Sequence, residues 1–148
     1  MSFLSLFKKP EPKPVLVPLV ALNEWGVLFQ SRNLFIYNRY AGALPDNQGD
    51  YLHFKSYPEA DFLNGKLFTG WYFLAFNGIF LQQLSDANAT TQSLIFISFD
   101  TFEGSTVKTN IAAKNWDARI INGYEVEFTF TGASKDVFRL KQNEINYS

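Results

Sequence analysis

The sequence predicts an all-β protein: an antiparallel β-sandwich, jelly-roll-like in character, or a barrel, with about eight to ten short strands. Short apolar runs are separated by Gly, Pro, Asn and Asp, and no apolar pattern continues far enough for a long helix. Aromatic residues make up 18% of the sequence, and aromatic side chains favour strands over helices. Residues 124–131 alternate between apolar and polar side chains, which is typical of a strand with one buried face.

The length of the chain bounds its organisation. Its 148 residues suit one domain, and a chain of this size buries about 70% of its unfolded surface, so its core needs no metal or disulfide. The absence of cysteine excludes disulfides, thiolate zinc sites and cysteine nucleophiles. We divide the chain into an N-terminal arm with a proline linker, residues 1–14, and a single β domain, residues 15–148.

Residues 1–14 differ in composition from the rest of the chain. Three prolines between residues 10 and 14 alternate with charged residues, a pattern that favours an extended polyproline II linker. Before the linker, four apolar residues suit docking on the protein's own domain or on a neighbouring subunit: Phe3, Leu4, Leu6 and Phe7. Lys8 and Lys9 follow this patch, so peripheral contact between the arm and an anionic membrane is an alternative.

From residue 15 onward, strand signals follow one another along the chain. We predict strands at residues 15–21, 27–31, 34–40, 51–57, 71–76, 79–84, 94–99, 106–111, 119–121, 124–131 and 137–141. Pro18 marks the first of these as an edge strand or a bulge. Residues 41–50 predict a loop, residues 59–65 predict a helical turn, and residues 112–117 are ambiguous, with a helical turn as one interpretation.

Two Asn–Gly pairs predict tight hairpins. Asn77–Gly78 and Asn122–Gly123 each separate two strand-like runs, and both residue types tolerate the positive φ that a type I′ turn requires. In the strand after the second pair, we expect one set of residues to face the core: Tyr124, Val126, Phe128 and Phe130. We expect the alternate set to face water: Glu125, Glu127, Thr129 and Thr131.

Residues 71–76 and 94–99 are apolar on both faces of their predicted strands. A sheet face open to water carries polar side chains at alternate positions, so we expect both faces of these strands to be covered. The cover is either the arm or a long loop of the same chain, or a second subunit. In the latter case Trp71 and Tyr72 join the apolar arm residues as interface candidates.

The sequence contains no recognisable catalytic pattern. His53 is the single histidine, and no nucleophile or orienting carboxylate lies nearby in the sequence. Residues 46–50 offer oxygen ligands that suit calcium, but the same residue types are common in turns for backbone reasons. We therefore expect no enzymatic activity, no cofactor and no metal.

The charge of the chain bears on its partners. A net charge of −1 and a pI of about 5.8 leave no basic surplus, which argues against duplex nucleic acid as a partner. Aromatic residues on the predicted strands could stack sugars or single-stranded bases. The central region, however, supplies only Arg32, Arg39, Lys55 and Lys66, which are too few to favour nucleic acid.

Together these observations favour a non-catalytic structural or assembly protein, such as a capsid or tail subunit of a virus or phage, whose arm docks on a neighbour or a lipid surface. Its expected partners are other protein subunits, identical or different. The alternatives are a lipocalin-like barrel that binds a small hydrophobic ligand, and an inhibitor or immunity module that binds another protein. The sequence carries no signal-peptide pattern and no apolar run near the ~20 residues of a membrane span. We expect cytoplasmic synthesis, with the virion as a destination.

Overall fold

The computed structural model describes residues 25–31, 33–45, 49–88 and 90–146, and these form ten β-strands in two antiparallel sheets. The prediction of an all-β sandwich is confirmed. The N-terminal arm, the proline linker and the strand predicted at residues 15–21 lie outside the described residues, as do residues 46–48 of the predicted loop.

The strands follow the turn signals of the sequence. They are β1 (Gly26–Gln30), β2 (Phe35–Ala43), β3 (Asp50–Tyr57), β4 (Leu67–Ala75), β5 (Gly78–Leu84), β6 (Gln92–Ser98), β7 (Gly104–Ile111), β8 (Asn115–Asn122), β9 (Glu125–Thr131) and β10 (Lys135–Lys141). The helical turn predicted at residues 59–65 is present as a 3₁₀ turn at Asp61–Leu63. A second 3₁₀ turn, Gln142–Glu144, follows β10.

Both sheets are meanders. The larger sheet has the order β1 to β7 and the smaller has the order β10–β9–β8, so hydrogen-bonded neighbours among the described strands are also neighbours in sequence. A jelly roll consists of Greek keys, in which a long connection returns a strand beside one that is distant in sequence. The jelly-roll part of the prediction is therefore not confirmed, while the two-layer antiparallel architecture is.

The larger sheet curls. In a flat sheet, five strand spacings of about 4.8 Å would place β1 and β6 roughly 24 Å apart. The ring of Phe29 in β1 nevertheless stacks on that of Phe99, directly after β6, with a centroid distance of 5.6 Å. Phe29 also packs edge-to-face on Tyr72 of β4, again at 5.6 Å. The first strand is thus brought back towards the fourth and sixth.

This curl produces two cores. The first core lies inside the curled sheet and contains Ile36, Phe54, Phe68, Leu81 and Ile97, together with Leu63 of the 3₁₀ turn. The second core lies between the two sheets and contains Phe80, Phe96, Trp116, Val126, Phe128 and Phe130. Adjacent residues of β5 and β6 therefore point into different cores.

The predicted cover on both faces of residues 94–99 is confirmed for β6. Leu94 and Phe96 point into the second core, while Ile95 and Ile97 point into the first. The covering layers are the chain's own second sheet and the curled half of its first sheet. The sequence could not supply this answer, because the curl depends on contacts between strands that are far apart in the chain.

For residues 71–76 the described residues cover one face, and cover of the other face by the arm or by a second subunit stays a prediction. Trp71 and Phe73 pack against the second core, but Tyr72 and Leu74 on the opposite face are 39% and 42% exposed. The strand also begins earlier than predicted, at Leu67. Thr69 and Gly70 lie within β4, although residues of these types are also common in turns.

Both Asn–Gly hairpins form, but each turn is displaced by one residue. In the first, Phe76 and Asn77 have φ values of 57° and 52° and occupy the turn, while Gly78 is the first residue of β5. In the second, Asn122 ends β8 and its Oδ1 accepts a hydrogen bond from the Tyr124 amide at 3.0 Å.

The strand after the second turn keeps its predicted alternation, with one exception. Val126, Phe128 and Phe130 are buried, whereas Tyr124 lies in the turn and is 61% exposed, so its predicted core position is wrong. The helical interpretation of residues 112–117 is also wrong, because Asn115 already begins β8.

Candidate functional site

The first candidate surface is apolar and lies beside the first core. We call it the apolar rim and define it as Phe29, Tyr72, Leu74 and Phe99. Tyr72 and Leu74 are the exposed members, while Phe29 and Phe99 are half-buried. The two ring contacts of Phe29 join its three aromatic residues into one patch. Contiguous apolar surface of this kind marks interaction sites more often than isolated exposed residues do.

Local pairing places these side chains on one face. Tyr72 lies opposite Leu81 and Leu74 lies opposite Ile79, and both partners point into the first core. The rim is therefore the outer margin of the first core rather than a separate cluster.

The structure separates the two aromatic residues predicted as interface candidates. Trp71 packs edge-to-face on Trp116 at 5.3 Å and belongs to the chain's own second core. Tyr72 points the other way, into the apolar rim. The four arm candidates lie outside the described residues.

The second candidate surface covers the convex side of β2 and β3, opposite to the first core. We call it the aromatic–cationic face. Its cross-strand pairs are Phe35–Tyr57, Tyr37–Lys55, Arg39–His53 and Gly42–Tyr51. Rings thus lie at both ends of the face and cations lie in its middle. A Cβ at position 42 would overlap the Tyr51 ring, so the ring packs directly on the backbone of β2.

Trp25 packs over the centre of this face. The Lys55 ammonium lies 4.4 Å from the centroid of its ring, and the Arg39 guanidinium carbon lies 4.9 Å from it. Both distances fall within the range of cation–π attraction. Gly26 of β1 pairs with Asn38 of β2, so the β1–β2 register places Trp25 beside Arg39, and the β2–β3 register brings Lys55 to the same ring.

Tyr37 is the buried member of the face. Its side chain is only 3% exposed, and among the described residues its hydroxyl has no hydrogen-bond partner. Burial raises the pKa of this hydroxyl, and the neighbouring Tyr57 raises that pKa further. The hydroxyl therefore stays protonated at neutral pH and can donate a hydrogen bond.

His53 shares this face with Tyr51 and Lys55, as the alternation of β3 predicts. Its Nδ1 lies 3.4 Å from the carbonyl oxygen of Lys66. The Lys66 ammonium points elsewhere: it donates to the Phe62 carbonyl at 2.7 Å, and burial lowers its pKa. Within the described ranges, no group of three or more His, Asp or Glu side chains could hold a metal ion.

One concave surface in the described part of the chain lies at the end of the sheets. A cleft of about 410 Å³ lies between the end of β7 and the β9–β10 turn. Lys108 and Asp136 face each other there at 3.9 Å. The interior of the curled sheet is filled, since Phe54 and Phe68 stack at 4.4 Å in the first core.

Sequence reasoning found the residues of the second surface but not their arrangement. In the sequence, Arg39 and Lys55 are two separate cations. Their proximity was not predicted, because it depends on the β2–β3 register. That register contains a bulge between Tyr40 and Gly42, and β2 continues through Ala43, so the prediction that the loop begins at residue 41 is wrong. The cation–π cluster with Trp25 was likewise missed.

These features define a two-sheet β protein with an apolar surface and an aromatic–cationic surface. Comparison of the chain with protein-family models, with curated proteins and with solved structures gives no match. Among the residues that the structure describes, no helix is long and apolar enough to cross a membrane.

Proposed function

We propose that this chain is a non-catalytic assembly subunit that packs against neighbouring protein subunits through the apolar rim. The supporting observation is the exposure of Tyr72 and Leu74 beside the half-buried Phe29 and Phe99. Burying such side chains contributes about 25 cal/mol per Å² of apolar surface removed from water. Tyrosine is also enriched at protein interfaces.

A particle built from many copies, such as a viral or phage capsid or tail, is the setting that this proposal favours. The N-terminal arm would extend the contact, with its apolar patch on a neighbouring subunit or on a lipid surface. A virion location belongs to the same proposal.

The filled first core weighs against the alternative of a lipocalin-like barrel, because stacked Phe54 and Phe68 occupy the space that a ligand would need.

Light scattering across a range of protein concentrations tests the proposal. We expect the full chain to form a defined oligomer or to assemble as concentration rises. The double variant Tyr72→Ser and Leu74→Ser should weaken association by about tenfold or more, since it removes the apolar contact. Deletion of residues 2–9 should also weaken it while leaving the far-ultraviolet circular dichroism unchanged.

Val137→Ser is the matched control. Val137 is 50% exposed, like the rim residues, but lies on β10 of the smaller sheet. The proposal expects this variant to assemble as the unchanged chain does. A full chain that stays monomeric at every concentration contradicts self-assembly, and equal loss in all variants contradicts the assignment to the rim.

A further inference from the structure

We propose that Asn64 is a site of spontaneous deamidation, where the folded chain converts its own asparagine to aspartate and isoaspartate and gains a negative charge with age. Asn64 precedes Gly65, and the backbone nitrogen of a glycine can reach the preceding side chain because no Cβ obstructs its approach. The inference goes beyond assembly and does not depend on it, because the reaction requires only the chain and water.

The reaction has two steps. In the first, the backbone nitrogen of Gly65 loses its proton and forms a bond to Cγ of Asn64. The bond from Cγ to Nδ2 breaks, ammonia leaves, and a five-membered succinimide ring remains. In the second step water opens the ring. Addition of water at Cγ gives aspartate, and addition at the main-chain carbonyl carbon gives isoaspartate. One water is consumed and one ammonia is released, so the atoms balance without an oxidant or a reductant.

The structure leaves this pair free to react. Both residues are exposed, in the turn between the 3₁₀ turn Asp61–Leu63 and β4. Asn64 has φ −67° and ψ 133°, and Gly65 has φ 74°, as at the two central positions of a type II turn. Among the described residues, no hydrogen bond holds the Asn64 side chain. A Cβ at position 65 would meet no atom within 4 Å, so no neighbouring group obstructs ring formation.

The Asn77–Gly78 pair has the same two residues without this freedom. The Asn77 side chain donates a hydrogen bond to Asp100 Oδ1 at 2.9 Å. Gly78 is buried in β5, where a Cβ would overlap the Phe96 ring. Reorientation of this peptide would therefore break the side-chain hydrogen bond and disturb the packing of β5 on β6. We expect Asn77 to convert about tenfold more slowly than Asn64, or more slowly still.

The third Asn–Gly pair, Asn122–Gly123, is intermediate. Gly123 is exposed in its turn, and a Cβ there would meet no atom within 4 Å. Asn122, however, belongs to β8, and its Oδ1 accepts a hydrogen bond from the Tyr124 amide at 3.0 Å. Because this hydrogen bond and the pairing with β9 restrain Asn122, the structure ranks conversion in the order Asn64, Asn122, Asn77.

Peptide mapping by tandem mass spectrometry tests the proposal on the full chain, incubated at mildly alkaline pH and sampled over several weeks. Position 64 should acquire the mass of aspartate first, at least about tenfold faster than position 77. The rate should rise with pH, because the attacking nitrogen must lose its proton. In Asn64→Gln, the first acidic species to appear on ion-exchange chromatography of the unchanged protein should be absent.

Gly65→Ala tests the ring mechanism. It should slow conversion of Asn64 by about tenfold or more, because the methyl group obstructs the attacking nitrogen. The comparison is made in buffer and again in guanidinium chloride, where neither chain is folded, so its outcome does not depend on whether the variant folds. Equal rates for Gly65→Ala and the unchanged chain in guanidinium chloride overturn the proposal, because the amide is then lost by direct hydrolysis.

The unchanged chain in guanidinium chloride is also the control for the ranking. Unfolding removes the restraints on Asn77 and Asn122, so the three pairs should then convert at similar rates. The proposal is overturned if Asn64 does not convert first in the folded protein. It is also overturned if the folded ranking persists in guanidinium chloride, since the rates then follow the neighbouring sequence rather than the structure.

Discussion

Gly78 occupies a position in β5 where the neighbouring strand leaves no room for a side chain. A Cβ placed there would overlap the Phe96 ring and would lie 2.5 Å from the carbonyl oxygen of Ile97. The Asn–Gly pair suggested a different role, as a turn residue with positive φ. Phe76 and Asn77 take that conformation instead, and the glycine is needed for close approach between β5 and β6.

Gly78→Val should therefore destabilise the protein by about 1–3 kcal/mol or more, because the position of a Cβ is fixed by the backbone and no rotamer relieves the overlap. Gly70→Val is the matched control. Gly70 also lies in a strand of this hairpin, and a Cβ there would meet no atom within 4 Å. Urea denaturation of both variants checks the prediction, and equal stability losses would contradict the packing explanation.

At the scale of elements, one carboxylate links the three strands of the smaller sheet. Glu127 of β9 accepts a hydrogen bond from Arg119 Nε of β8 at 2.8 Å and another from Arg139 Nε of β10 at 3.0 Å. These two hydrogen bonds lower the pKa of the Glu127 carboxyl, and the charges of the two arginines lower it further. The arginines are well exposed, so solvent screens their attraction to the carboxylate.

This linkage gives stability a pH dependence of defined sign. Because the folded pKa of Glu127 lies below its unfolded value of about 4.3, its contribution is fully present above that value. The contribution is lost as the pH falls through the lower, folded pKa. Urea denaturation of the unchanged protein and of Glu127→Gln between about pH 3 and pH 7 should show a stability difference that is constant near neutrality and shrinks in acid. A difference that does not change with pH would contradict the assignment.

The elements themselves were largely predictable, for identifiable reasons. Strict alternation located β9, and the Asn–Gly pairs located both hairpins, because these signals act within a few residues. The start of β4 was missed because Thr69 and Gly70 lie in an irregular part of its pairing with β5, where the register shifts between Phe68 and Tyr72. Such irregularities depend on the partner strand, so the sequence of one strand alone does not announce them.

The candidate surfaces were less predictable than the elements. Tyr72 was identified as an interface candidate from its apolar surroundings, but Trp71 beside it packs in the chain's own second core. The distinction depends on which side of β4 faces the smaller sheet. That arrangement is set by contacts between strands distant in sequence. The meeting of Arg39 and Lys55 at Trp25 depends instead on the pairing registers of the consecutive strands β1, β2 and β3.

At the scale of the whole molecule, β5 and β6 couple the two cores. Phe80 and Phe96 point into the second core, while the adjacent Leu81 and Ile97 point into the first. Because β5 and β6 line both cores, loss of one core would leave one apolar face of these two strands exposed to water. The described sandwich should therefore unfold as one cooperative unit rather than as two layers.

Matched substitutions in the two cores test this coupling. Phe128→Ala in the second core and Phe54→Ala in the first each remove a buried ring, at a cost of about 3–5 kcal/mol. Each should lower Tm by roughly 10 °C or more. With Trp25 replaced by Phe in both variants, the near-ultraviolet tryptophan signal comes from Trp71 and Trp116, which lie in or against the second core. This signal should melt together with the far-ultraviolet signal of the strands. If the tryptophan signal of Phe128→Ala melts at a lower temperature than the far-ultraviolet signal, the smaller sheet detaches independently. That result would contradict the prediction that the two cores unfold as one cooperative unit.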